Sequence, residues 1–314
     1  MIKLFKDRFL INTGSNAFSR LFNQVVNFIL YPYIILNIGV EAVGIMAIME
    51  SVVGPVSFFQ SSFIPSKIKY LSEYSSKKIW IQFNNVVNCS LLITFIISIA
   101  ISIILLLISV FFENIFSISQ NSIILASQAA IITAFTVLFS YSLSIGEEIF
   151  MSIQRYDVYN GVIILFSTIK LLIIIYFLNV GLTLNILLII NGLSIIGRRL
   201  LLIIIAKKYV PDLIFNVKYI NTKTLSELFI FSGKILIIAL STFVTRHMGQ
   251  LITGIYISVE SAAFYYTCHK IYSFIKSIPL LFQSALLPYI SQFEALNEKN
   301  KIIIVTKRLT KYIY

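Results

Sequence analysis

The feature that most constrains this chain is a series of eight apolar stretches, separated by short breaks in which lysine and arginine appear at every second position in the series. A bilayer core of about 30 Å requires about 20 predominantly apolar residues per helix. The stretches run from Asn12 to Ile38, Ala42 to Pro65, Val86 to Phe112, Ile123 to Gly146, Tyr159 to Leu178, Leu182 to Ile205, Ser226 to Ile257 and Ser261 to Tyr289. They predict an all-α, polytopic helical membrane protein. Hydrophobic residues make up 58% of the chain and the mean hydropathy is +0.91. That exceeds the roughly 45–50% apolar share of soluble domains and leaves no segment for a water-soluble domain with a core of its own.

The breaks give an independent test, because short cytoplasmic loops carry the excess of Lys and Arg. The N-terminus (Lys3, Lys6, Arg8), the second break (Lys67, Lys69, Lys77, Lys78), the fourth (Arg155), the sixth (Lys207, Lys208, Lys218, Lys223) and the tail (Lys299, Lys301, Lys307, Arg308, Lys311) are basic. The alternate breaks, Asn37 to Glu41, Glu113 to Asn121, Asn179 to Gly181 and Ser258 to Glu260, hold neither residue. Eight helices with both ends in the cytoplasm fit this alternation. A net charge of +12 is therefore read as topology and not as a nucleic-acid surface, which would gather its cations on one soluble face.

Cys89 and Cys268 fall inside apolar runs and read as small core residues rather than a disulfide or metal pair. Arg20 and the length of the first run distinguish it from a cleaved signal peptide, so it is read as a retained helix. Ser, Asn and Gln in the first, second and seventh runs mark helices that line something polar.

The first two runs resemble the last two. Ile38-Gly39-Val40-Glu41-Ala42 reads like Ile257-Ser258-Val259-Glu260-Ser261, and Phe59-Gln60-Ser61-Ser62-Phe63-Ile64-Pro65 like Phe282-Gln283-Ser284-Ala285-Leu286-Leu287-Pro288. Paired halves of this kind build many transporters. The reading divides the chain into a six-helix lobe over 1–206, a cytoplasmic linker over 207–225 and a second lobe over 226–314 that holds two helices and, from Lys301 to Tyr314, the start of a third. The second lobe is expected to be incomplete.

Four further features stand out in order along the chain: Asn12-Thr13-Gly14-Ser15-Asn16, the turn Gly39 to Gly44, Gln154-Arg155-Tyr156-Asp157, and Ala285-Leu286-Leu287-Pro288 followed by Ser291 and Glu294. In these the chain resembles the polysaccharide (O-antigen, Wzx-type) flippases of the MATE-like, or MOP, superfamily. The resemblance implies two six-helix lobes around a cavity that opens alternately to each side, of which the second is only begun here. It implies a non-enzymatic flippase with no cofactor. Such a protein carries an undecaprenyl-pyrophosphate-linked glycan across the bacterial inner membrane, with membrane lipids and other polysaccharide assembly proteins as partners and no nucleic acid. Ser19-Arg20-Leu21-Phe22 resembles the first-helix Ser-Arg of the lipid II flippase, where such arginines face the cavity.

Ionisable residues within the runs carry the chemistry: Arg20, Glu50, Lys170, Lys234, Arg246, His247, His269, Lys270 and Lys276. A cation at the bilayer centre costs about 2.5–3.5 kcal/mol, so six facing lipid would cost of order 15–20 kcal/mol, more than a typical folding stability. Most must face a cavity, a partner or the interface. With one mid-span carboxylate among them, the natural neutraliser is an anionic ligand.

Arg20 and Arg246 sit on polar helices, and a guanidinium fork suits two phosphate oxygens. With Lys170, Lys270 and Glu50 they form the candidate substrate-binding set. Lys170 reads equally as a cavity or a structural residue, Glu50 and Lys270 as a pair between lobes or as separate ligand contacts. Lys234 and Lys276 read as snorkelling to an interface, and the histidines as plain polar lining. There is no Gly-rich phosphate loop.

Two rival readings stand beside the flippase. A cation-coupled drug or metabolite exporter would make Glu50 essential. A polysaccharide polymerase or ligase would need a sizeable outward loop, which the lysine-free breaks do not supply. The early stop also admits an inactive remnant.

Overall fold

A computed structural model describes residues 2–276. The end of the eighth run, the second half of the repeat from Phe282 to Pro288 and the basic tail lie outside the described residues. Among the described residues there is no β-strand. Helix α1 (Ile2–Ile38) is followed by α2 (Val40–Ser76), α3 (Trp80–Ile115), α4 (Ile123–Ser142), a short α5 (Ile145–Ser152), α6 (Tyr156–Val180) and α7 (Leu184–Tyr209). Then come α8 (Thr222–Phe243), a π-helical turn (Val244–Met248), α9 (Gly249–Tyr256) and a last helix over 259–276, here α10. A single non-helical residue, Gly39, joins α1 to α2 with φ of 84°, a left-handed conformation that carries no Cβ penalty in glycine.

Among the described residues, five helices are long and apolar enough to cross a bilayer, and two bent pairs bring the number to seven. These seven, with α10, occupy the eight apolar runs of the sequence. The first bent pair is α2, which turns by 47° between Val40–Gly54 and Ser57–Ser76, next to Pro55. A proline cannot donate to the helical ladder, and kinks gather at such sites. The second is α8 with α9, bent by 42° between Thr222–Ile238 and Leu240–Tyr256.

Successive spans alternate in direction. The breaks at 77–79, 153–155 and 210–221 therefore gather at one end of the bundle, the basic end, and those at 39, 116–122, 181–183 and 257–258 at the other. One expectation is corrected here. Lys67 and Lys69 belong to α2 and not to a loop, and Lys67 is fully buried, so the second basic break is reduced to Lys77 and Lys78.

Two apolar cores hold the bundle. The first joins Ala42 to Met49 of α2, Ala126 to Ala134 of α4, and Val259 to Tyr266 of α10. In α4 the buried Ala126, Ala130 and Ala134 recur at every fourth position, so α3 can approach closely, as small residues permit between membrane helices. The second core lies toward the basic end and joins Phe83 and Val87 of α3, Ile149 and Phe150 of α5, and Leu202 and Ala206 of α7.

The lysine-free end is sealed. The Ser117 N–H donates to the Gly254 carbonyl at 3.2 Å, the Val259 N–H to the Ser117 carbonyl at 3.1 Å, and the Ser119 hydroxyl to Glu41 at 2.6 Å. At the basic end, the stretch 210–221 between α7 and α8 is fastened to α3. The Asn84 and Asn88 side chains each donate to one backbone carbonyl of that stretch, Asp212 and Ile214, and each accept from one backbone N–H, Ile214 and Asn216, at 2.8–3.0 Å.

Candidate functional site

A cavity of about 2250 Å³ runs between α1, α2, α4, α6, α7, the π-turn and α10. Along α1 its lining extends from Gly14 to Ile35, a rise of about 30 Å at 1.5 Å per residue, nearly the depth of a bilayer core. The α1 wall exists because Asn16, Asn23 and Asn27 recur at near-helical spacing on one face. That face meets α6 in register: Asn160 donates to Asn16 at 2.8 Å, Ser167 to Asn23 at 2.5 Å and Lys170 to Asn27 at 3.4 Å. The partners are 144, 144 and 143 residues apart, so α1 and α6 run parallel as a polar zipper. The α1 amides therefore serve two purposes, edging the cavity and joining α6.

All five residues of the sequence-derived site set, Arg20, Glu50, Lys170, Arg246 and Lys270, lie on the lining of this one cavity. Glu50 of α2 faces α10. The buried Tyr266 hydroxyl donates to its Oε1 at 2.7 Å, and the Lys270 ammonium stands 3.9 Å from the same oxygen and 4.6 Å from the Tyr266 ring centre. Of the two open readings for Glu50 and Lys270, the structure thus contains a long, half-exposed ion pair. Beside it Tyr31 bonds Thr267 at 2.7 Å and Gln24 donates to the Ser273 carbonyl at 3.2 Å, joining α1 to α10.

Arg246 and His247 are carried by the π-turn. A π-turn shifts the following side chains around the helix axis, and such turns concentrate at functional sites. Ser51 of α2 bonds Gln250 just beyond it. The turn packs so closely on Gly54 that an added Cβ would meet the His247 and Phe243 rings. Arg20 and Arg246 have no ion-pair partner among the described residues, and Lys170 has only the Asn27 amide. Among the described residues, Glu50 is the one carboxylate on the lining.

Lys234 and Lys276 lie off the cavity, and Lys276 rests 5.4 Å from the Tyr272 ring centre. Histidines 247 and 269 are on the lining.

A second charged cluster lies outside the cavity and was not read from the sequence. Lys67 of α2 pairs with Glu148 of α5 at 2.9 Å, both buried, and Glu147 takes Arg198 and Arg199 of α7 at 2.8 and 3.1 Å. The available signal was charge matching: two adjacent carboxylates at the end of the fourth apolar run and two adjacent arginines inside the sixth are tolerated most readily as partners. Arg199 also donates to the Ser140 carbonyl at 2.6 Å, which ties the cluster to the cavity wall.

Together these features define a multi-pass helical membrane protein built around one large cavity, mostly apolar in its walls, in which cations outnumber the single carboxylate among the described residues. Among solved structures, the chain is similar to the inward-facing conformation of a multidrug resistance MATE family transporter of the MOP superfamily, with a TM-score of 0.74 at 12% sequence identity over 92% of this chain and 67% of that one. The fold is thus that of the MATE-like transporters. No family model and no curated protein sequence matches the chain.

Proposed function

We propose that this protein is a flippase that moves a polyprenyl-pyrophosphate-linked oligosaccharide, an O-antigen or other surface polysaccharide unit, from the cytoplasmic to the outer leaflet of a bacterial plasma membrane. The observation that carries the reading is the charge balance of the cavity. Glu50 is engaged by Tyr266 and Lys270, which leaves Arg20, Lys170 and Arg246 without a carboxylate among the described residues. Cations held in so apolar a setting call for an anionic ligand, and guanidinium forks suit phosphate.

The size and lining agree with this ligand. At about 2250 Å³ the cavity exceeds the roughly 300–1,000 Å³ of drug-sized sites, and its amides and hydroxyls suit sugar hydroxyls. With the basic end in the cytoplasm, as the positive-inside rule directs, a doubly charged headgroup moving outward gains about 4.6 kcal/mol from a 100 mV inside-negative potential. The field alone then biases the direction. In this reading membrane lipids and other polysaccharide assembly proteins are the partners.

One observation favours a second reading, a cation-coupled exporter: Glu50 does face the cavity and is within reach of a transported cation. The two separate in a bacterial strain deprived of its own O-antigen flippase and assayed for surface polysaccharide. Restoration by the chain that falls at least about tenfold, the weight of one charged contact, with Arg20→Ala or Arg246→Ala supports the flippase. Resistance to a cationic drug that is lost with Glu50→Gln and kept with both arginine variants would move the assignment to the exporter.

A further inference from the structure

A second opening, of about 460 Å³, lies on the outer face of the bundle between α6 and α7, with walls that are almost wholly apolar: Ile169, Ile173 and Phe177 on one side, Ile186, Ile189 and Leu193 on the other. Ile169, Ile173, Ile189 and Leu193 are exposed there, facing the hydrocarbon of the bilayer. One residue lines both this groove and the central cavity, Lys170. Lys170 is thus common to the walls of both, and its ammonium reaches Asn27 on the cavity side at 3.4 Å.

We propose that the α6–α7 groove is the seat of the isoprenoid chain of a lipid pyrophosphate whose charged head occupies the cavity, with Lys170 at the junction of the two. The inference rests on the flippase reading above and adds the path of the tail. Its argument is the depth of the charge. Lys170 lies 14 residues from the start of α6 and 10 from its end, about 21 and 15 Å by helical rise, and so near the middle of the span. A resident phospholipid keeps its phosphate at the interface, about 15 Å from the bilayer centre. A phosphate comes level with Lys170 only when a headgroup has left the interface and entered the protein, while its chain still needs an apolar surface. The groove supplies that surface at the same depth. Lys170 carries a four-carbon stem that can swing aside, so the head and chain of one molecule can pass on either side of it.

The test uses the full chain in phosphatidylcholine vesicles and a geranylgeranyl pyrophosphate carrying a benzophenone at the end of the chain. After irradiation, the label is expected on 173–177 and 186–193. Excess unlabelled geranylgeranyl pyrophosphate should remove it, and geranylgeraniol, which lacks the phosphates, should not. Ile189→Trp or Leu193→Trp, each on a bilayer-facing position, should fill the groove and lower the label about tenfold, equivalent to about 1.4 kcal/mol. Arg20→Ala should lower it as well. Label in the groove that geranylgeraniol removes equally well would show a surface for any lipid chain and overturn the inference. Pyrophosphate-dependent label that maps elsewhere, falls with Arg20→Ala and ignores both tryptophans would overturn the tail path and keep the flippase reading. The absence of any pyrophosphate-dependent label would overturn both.

Discussion

Lys67 donates to Glu148 at 2.9 Å with the two side chains only 1% and 4% exposed, joining the basic half of α2 to the short helix α5. Burying such a pair costs its full hydration, and the mutual attraction offsets that cost only while both members are present. Lys67→Met, which strands the carboxylate, should destabilise the detergent-solubilised protein by about 3–5 kcal/mol. The double change Lys67→Met with Glu148→Leu should regain most of the loss. Thermal unfolding of the three proteins checks this, and a double variant no better than the single one would deny the pair its role.

Asn84 and Asn88 sit one helical turn apart on α3 and hold a non-helical stretch by its own backbone, each making two hydrogen bonds to 212–216. A leucine at either site removes two hydrogen bonds to this exposed stretch, at about 0.5–1.5 kcal/mol each. Asn84→Leu or Asn88→Leu should therefore raise the rate of tryptic cleavage at Lys218 about tenfold or more, since cleavage follows the open population. Unchanged cleavage in both variants would mean that the stretch is held by other contacts.

These two relationships mark the boundary of what the sequence discloses. The eight runs, the Gly39 turn and the cavity-facing positions of Arg20, Glu50, Lys170, Arg246 and Lys270 follow from local hydropathy and from the cost of a charge in hydrocarbon, both of which are written in neighbouring residues. Lys67 reads as a loop residue in the sequence because its partner lies 81 residues away and nothing near it announces burial. The partners of Asn84 and Asn88 are backbone groups 126–130 residues distant, which no side-chain pattern encodes. The zipper of α1 with α6 adds what the first run does not announce: its polar residues do line the cavity, and Asn16, Asn23 and Asn27 also bond the neighbouring helix. The π-turn at Val244–Met248 has no local signature, and its packing against α2 joins segments far apart in the sequence.

Tyr266 and Lys270 both approach Glu50, but with different weight. The Tyr266 hydroxyl is buried and donates at 2.7 Å, whereas Lys270 is 3.9 Å away with side chains 41% and 49% exposed. A hydrogen bond to a charged group contributes about 1.5–3 kcal/mol, an exposed ion pair about 0–1. A double-mutant cycle of Tyr266→Phe with Glu50→Gln should give a coupling above about 1 kcal/mol, and one of Lys270→Met with Glu50→Gln should give less. The reverse order would make Lys270 the residue that fixes Glu50.

At the sealed end the two copies of the repeated turn meet, since a Cβ at Gly44 would collide with the carbonyl oxygen of Val259 and its side chain. Backbone cannot yield as a flexible side chain can, so Gly44→Val must push α10 from α2, with an overpacking cost of about 1–3 kcal/mol. The affected contacts are those that close the cavity, and Ala263, buried in the same core, reports on them. With Cys89→Ala and Cys268→Ser removing the native thiols, an Ala263→Cys reporter should react slowly with a membrane-impermeant maleimide, and Gly44→Val should speed the reaction about fivefold or more by that cost. Gly161→Ala is the control, because a Cβ there meets no atom within 4 Å. Equal reactivity in the Gly44 and Gly161 variants would show that this seam does not govern closure.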